Sequence, residues 1–108
     1  MTSAKVTVPY PTANVRQISD LALVGTRLIA SSASDPGANG PFDSAMYRIG
    51  SLGFDGVRAV LTMHTPQSLG TFPGHKMEGI ACSGTTGLVG SDDENQGGWV
   101  RTASFCSL

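Results

Sequence analysis

The chain has 108 residues, the size of one domain, and 40% of them are hydrophobic, enough for a core that needs no obligatory metal or disulfide staple. Only 14% are charged and the formal net charge is −1, which speaks against nucleic acid as a partner, since the seven Lys and Arg stand singly at 5, 16, 27, 48, 58, 76 and 101 unless a fold gathers them. No apolar run approaches the roughly 20 residues of a membrane span, and Met1–Val8 lacks the basic-then-apolar pattern of a secretory signal, so the compartment is left unknown.

Lys5–Val8 is expected as a short strand with Val6 and Val8 on one face. Pro9-Tyr10-Pro11 ends it, because proline supplies no N–H to a ladder. From Ala13 to Ala30 the residues Val15, Ile18, Leu21, Ala22, Gly25, Leu28 and Ile29 recur at helical spacing, with Arg16, Gln17, Ser19, Asp20, Thr26 and Arg27 largely opposite and Thr12 placed as an N-cap. That spacing predicts a helix over 13–30. Gly25 would cost it about 1 kcal/mol, and the rival assignment is two strands, Leu21–Val24 and Arg27–Ala30, around Gly25-Thr26.

Ser31–Pro41 holds Asp35-Pro36-Gly37 and Asn39-Gly40-Pro41, which is turn chemistry and predicts an exposed loop. Asp43 or Ser44 then caps a short helix over Ala45–Leu52, with a strand at Ala45–Ile49 as the alternative because Gly50 and Gly53 weaken a helix. Gly56–Thr65 is the strongest strand signal. Val57, Ala59, Leu61 and Met63 fall on one face, while Arg58, Val60, Thr62 and His64 make the other face wetter. Asp55-Gly56 and Pro66 bound it, and it is expected in the core. Beyond Pro66, glycines at 70, 74, 79, 84, 87, 90, 97 and 98 leave room only for short segments at Lys76–Cys82, Thr86–Val89 and Trp99–Cys106. The expected fold is a single domain over 1–108 of the α+β class, a β-rich small barrel or sandwich with one helix near residues 13–30. An all-β fold is the alternative.

No residue type and spacing in the chain singles out a catalytic, cofactor-binding or metal site. His64, His75, Cys82 and Cys106 are eleven, seven and twenty-four residues apart, so no pair is pre-closed as zinc ligands are. Cys82 could act as a nucleophile with His64 or His75, or pair with Cys106 in a disulfide closing a loop that stabilises by about 3 kcal/mol in the loop-entropy account; the commoner fate of two such cysteines is that of small buried apolar residues. Ser83–Gly90 has neither the Lys-Ser/Thr ending of a phosphate loop nor dinucleotide glycine spacing and is expected as a flexible turn region. Ser91–Trp99 is the most charged stretch and lacks the alternating ligands of a calcium loop; a solvated hairpin loop is expected. Asp20, Asp35, Asp43, Asp55 and Glu78 form no pair that sequence can identify.

Low charge, many Gly, Ser and Thr, and no convergent polar cluster favour a non-enzymatic structural or interaction protein. The concrete form is one subunit of a symmetric assembly, such as a virion surface or decoration component, partnered by itself as a homo-oligomer or by a larger protein scaffold. The alternatives are a small hydrolase using a Cys/His pair, and a small protein-binding or inhibitor module acting through the loops at Ser31–Pro41 and Gly90–Gly98.

Overall fold

A computed structural model describes residues 3–107, which fold into seven strands and two 3-10 turns. Strands β1 (Val15–Val24), β2 (Arg27–Ser34), β3 (Asp43–Asp55) and β4 (Arg58–Pro73) form one antiparallel sheet in that order. Strands β5 (Met77–Ser83), β6 (Thr86–Asp92) and β7 (Gly98–Ala103) form a second. The sheets pack on each other through Val24, Ile29, Met46 and Phe72 from the first, Met77 and Val89 from the second, and Phe105 from the 3-10 turn Phe105–Ser107. The β-rich expectation holds. The sheets are open rather than closed into a barrel, and the described residues contain no α-helix.

All three two-residue hairpins turn on a Gly-X pair: Gly25-Thr26, Gly56-Val57 and Gly84-Thr85. The glycine φ angles are +62°, +66° and +60°. A glycine with positive φ at the first central position is what a type II′ turn requires, and that turn matches the twist of its flanking strands. The helix expected over 13–30 is therefore the β1–β2 hairpin. Its stripe of apolar residues came from two faces of the sheet, Leu21 and Leu28 on the outer one and Ile29 and Val24 on the inner one.

The helix expected at Ala45–Leu52 is likewise part of β3. Ala45, Tyr47 and Ile49 face one way and Met46 the other, all buried, so the strand reads as a continuous apolar run. Gly50 sits where a side chain would run into the carbonyl of Thr62 on β4, which explains a glycine in mid-strand.

Lys5–Val8 is not a strand. Residues 3–12 cross the outer face of the first sheet, the face turned away from the second sheet, and Val8, with Val6 and Tyr10, seals a second core of Ala30, Ala45, Tyr47 and Ile49. Side chains take the place of a ladder. The Val8 amide donates to Gln17 Oε1 at 2.8 Å, and the Tyr10 carbonyl accepts from Ser32 Oγ at 3.0 Å and Tyr47 Oη at 2.8 Å.

Covered on both sides, β2 is the core strand: Ile29, Ala30, Ser31, Ser32, Ala33 and Ser34 are all buried. Small residues let the two layers approach, and the buried hydroxyls are satisfied. Ser31 Oγ lies 2.7 Å from Ser19 Oγ, which donates to the Met77 carbonyl at 2.7 Å. Ser31–Ser34 thus belongs to a strand and not to the exposed loop expected at Ser31–Pro41. The stretch Gly56–Thr65 is displaced in the other direction. Val57 is fully exposed in the turn, Leu61 is only half-buried, and β4 is the edge strand. Pro66 lies within β4, where an edge strand tolerates a missing N–H.

Candidate functional site

Near the turns Gly25-Thr26 and Gly56-Val57 the first sheet is two-sided. The Leu52 amide donates to the Thr26 carbonyl at 2.8 Å, so the β3–β4 hairpin projects past the β1–β2 turn from Gly53 to Val60. Cross-strand partners share a face. Leu23 lies opposite Leu28, Leu28 opposite Gly50, Gly50 opposite Met63, Leu52 opposite Leu61 and Phe54 opposite Ala59. Leu28 and Met63 flank the outer core, which fixes this row on the outer face. Leu21 and Leu23 are each 49% exposed there and Phe54 73%, with Val57 at the tip. The inner face of the same strands carries Arg27, Ser51, Gly53, Asp55, Arg58, Val60 and Thr62. The dry and wet sides read from Gly56–Thr65 are both present; the dry side is partly covered at Leu61 and Met63 and open towards Phe54 and Val57.

A polar cluster occupies the opposite end of the sandwich. Asp93, after β6, is buried. It accepts from the Lys76 amide at 2.8 Å, His75 Nδ1 at 2.8 Å and Ser91 Oγ at 2.9 Å. Burial pushes the Asp93 carboxyl up, but the Lys76 amide, His75 and Ser91 outweigh it and hold the group below the ordinary carboxylate value. An ionised carboxylate only accepts, so His75 carries its proton on Nδ1. Trp99 stacks on the imidazole at 4.0 Å between ring centroids, 7° from parallel. A histidine oriented by a carboxylate is half of a nucleophile-activating arrangement; no hydroxyl or thiol is hydrogen-bonded to its second ring nitrogen among the described residues. Ser91–Trp99 is therefore not simply a solvated loop, since Asp93 is a buried anchor.

Beside it, Lys76 is buried to 3% side-chain exposure among Asp35, Glu78 and Glu94, and Arg16 bridges Asp35 at 2.6 Å and Glu78 at 3.2 Å. The hydrogen bond that Lys76 Nζ donates to Glu94 raises the Lys76 pKa against the opposing effect of burial, with Asp35 adding to the rise. Asn39 receives bonds from Asn95 Nδ2 at 3.1 Å and Gln96 Nε2 at 3.0 Å. The two loops expected to bind partners are thus braced against each other. Sequence reasoning missed this because its members are 41 and 56 residues apart.

Cys82 and Cys106 form a disulfide, with Cα atoms 5.8 Å apart. It joins the end of β5 to the 3-10 turn that carries Phe105, and a sulfur held in that bond is no nucleophile. Intact mass should rise by two hydrogens on reduction; an unchanged mass would contradict the pairing. His64 lies on β4, exposed, with Nδ1 2.8 Å from the Thr65 carbonyl. Ser83–Gly90 is not a flexible turn region beyond Gly84-Thr85: Thr86 onward is the middle strand of the second sheet, and Gly87 is buried beneath Phe105.

Among the described residues no helix is long and apolar enough to cross a membrane. No protein-family model, curated protein or solved structure matches this chain.

Proposed function

We propose that the protein is a non-enzymatic structural or interaction protein, one subunit of a symmetric assembly of the kind a virion surface or decoration layer uses. The observation that supports this reading most is the apolar outer face on which Leu21, Leu23 and Phe54 stand exposed beside the half-buried Leu28, Leu52, Leu61 and Met63. Contiguous apolar patches on monomers are usually small or functional, and this one joins four strands of a rigid sheet. The low charge of the chain adds little repulsion to oppose association.

The test is molar mass by light scattering over a wide concentration range. The wild type should associate, and Leu23→Ser combined with Phe54→Ser should shift it to the mass of one chain, 11.1 kDa, without loss of strand signal. A wild type that stays monomeric at all concentrations and docks on no scaffold would refute the assembly role.

A further inference from the structure

We propose that the projecting β3–β4 hairpin tip of one chain seats on the outer face of the second sheet of another copy. The inference rests on the assembly reading above and says which two surfaces meet. Val89 is buried between the sheets, so its neighbours Leu88 and Gly90 turn outward on β6. Strand register sets Ala81 and Thr102 beside Leu88, and Gly79 and Val100 beside Gly90. Leu88 and Val100 stand exposed, and none of these six residues is charged.

The two glycines are a separate observation. A carbon added at Gly79 or Gly90 would meet nothing closer than 3.9 Å, and neither residue has a positive φ. Gly79 follows the register shift in the β5–β6 ladder but lacks the left-handed backbone of a glycine bulge. The fold itself therefore has no need of glycine at either place, whereas a carbon added at Gly50 or Gly87 would run into a carbonyl of the next strand. Glycine weakens a strand interior and marks a place where another group approaches the backbone closely. Facing each other, the pair floors a shallow depression of about 270 Å³ between Leu88 and Val100. A cavity of about 150 Å³ takes a benzene ring, so one aromatic side chain fits.

The chain carries the matching projection. From Gly53 to Val60 the β3–β4 hairpin extends past the β1–β2 turn, with Phe54 exposed on the outer face and Val57 bare at the tip. Residues 3–12 cover the other end of that face, so its turn end is the part left open. Charge matches as well. Leu21, Leu23, Phe54 and Val57 are as neutral as the depression, and the charges at the two margins are opposite, Asp20 at the groove and Arg58 next to Val57. The two surfaces lie on opposite sides of the sandwich and cannot meet within one chain. Tip against tip would leave both depressions empty. Tip in depression leaves each copy with one free surface of each kind, a heterologous contact that closes into a ring or continues as a filament.

Two variants test the pairing by light scattering. The tip variant is Phe54→Ser with Val57→Ser, and the groove variant is Gly90→Leu. Alone, each should need at least about 30-fold more protein than the wild type to associate, the effect of losing one hot spot. Mixed at a concentration where each alone is monomeric, they should form a complex of one copy of each, because one retains the groove and the other the tip. A wild type that associates while Gly90→Leu associates equally well overturns the inference and leaves the assembly reading intact. A mixture that stays monomeric does the same, since the two surfaces then do not meet each other. A wild type that stays monomeric at every concentration removes the inference together with the homo-oligomer it deepens. Circular dichroism checks the fold of each variant. Should Gly90→Leu lose strand signal, Val100→Lys, at an exposed position, takes its place.

Discussion

Replacing Phe105 by alanine should cost about 3–5 kcal/mol, the range for emptying a buried aromatic site. The ring is 4% exposed and closes the core between the sheets, held there by the turn in which the Ser107 amide donates to the Ser104 carbonyl at 3.2 Å. The same contact can be attacked from the other side. A methyl group added at Gly87 would stand 2.6 Å from Phe105 Cε1 and 2.7 Å from the Ala103 carbonyl, so Gly87→Ala must part β6 from β7 or expel the ring. Overpacking of this kind costs about 1–3 kcal/mol. Because both changes act on one ring, the double variant should lose less than the two losses added together. Urea midpoints at constant m-value provide the measurement. A loss below about 1 kcal/mol for Phe105→Ala would mean that the turn does not seal the core.

Asp93→Ala should be the second costly change, about 3 kcal/mol, since it strands the Lys76 amide and frees His75 and Ser91 together. The effect has a sign in pH. The Asp93 pKa is lowered in the folded chain, so its contribution is fully present above the unfolded value near 4 and is lost as pH falls through the folded value. Wild-type stability should therefore drop in acid more steeply than that of Asp93→Ala. Urea unfolding at about pH 7 and about pH 3 tests this, and parallel losses in the two proteins would remove Asp93 as an acid-sensitive anchor.

The strands after Pro66 were legible because short β segments between glycines have few other solutions; β5, β6 and β7 fall close to Lys76–Cys82, Thr86–Val89 and Trp99–Cys106. The alternation in Gly56–Thr65 was legible too, and its dry face is part of the surface on which function is proposed. Its place at an edge was not, because period two reports sidedness and not what covers each side. Residues 13–30 misled for a physical reason. When both faces of a hairpin are apolar, period two is blurred, and Leu21, Ala22, Leu28 and Ile29 fall by chance at helical intervals. The stronger local signal there was Gly25-Thr26, a turn that recurs as Gly56-Val57 and Gly84-Thr85. Nothing local marked the Asp93 cluster, since it is made by strand register between distant residues.

The order of strands bears on how the chain gets from ribosome to sandwich. Every ladder joins neighbours along the chain, so pairing needs only short loop closures, and the contacts of long sequence separation are those of the N-terminal segment, the inter-sheet core and the polar contacts that tie the second sheet and its loops to the first. The four-stranded sheet can pair fully once Pro73 has been synthesised. At that moment Val24, Ile29, Met46 and Phe72 have no second sheet over them, and they stay bare until Met77, Val89 and Phe105 follow. A nascent chain of this design therefore displays its future interior to the cell for the time it takes to make the last three strands. Its most vulnerable species is a well-paired half and not an unfolded whole.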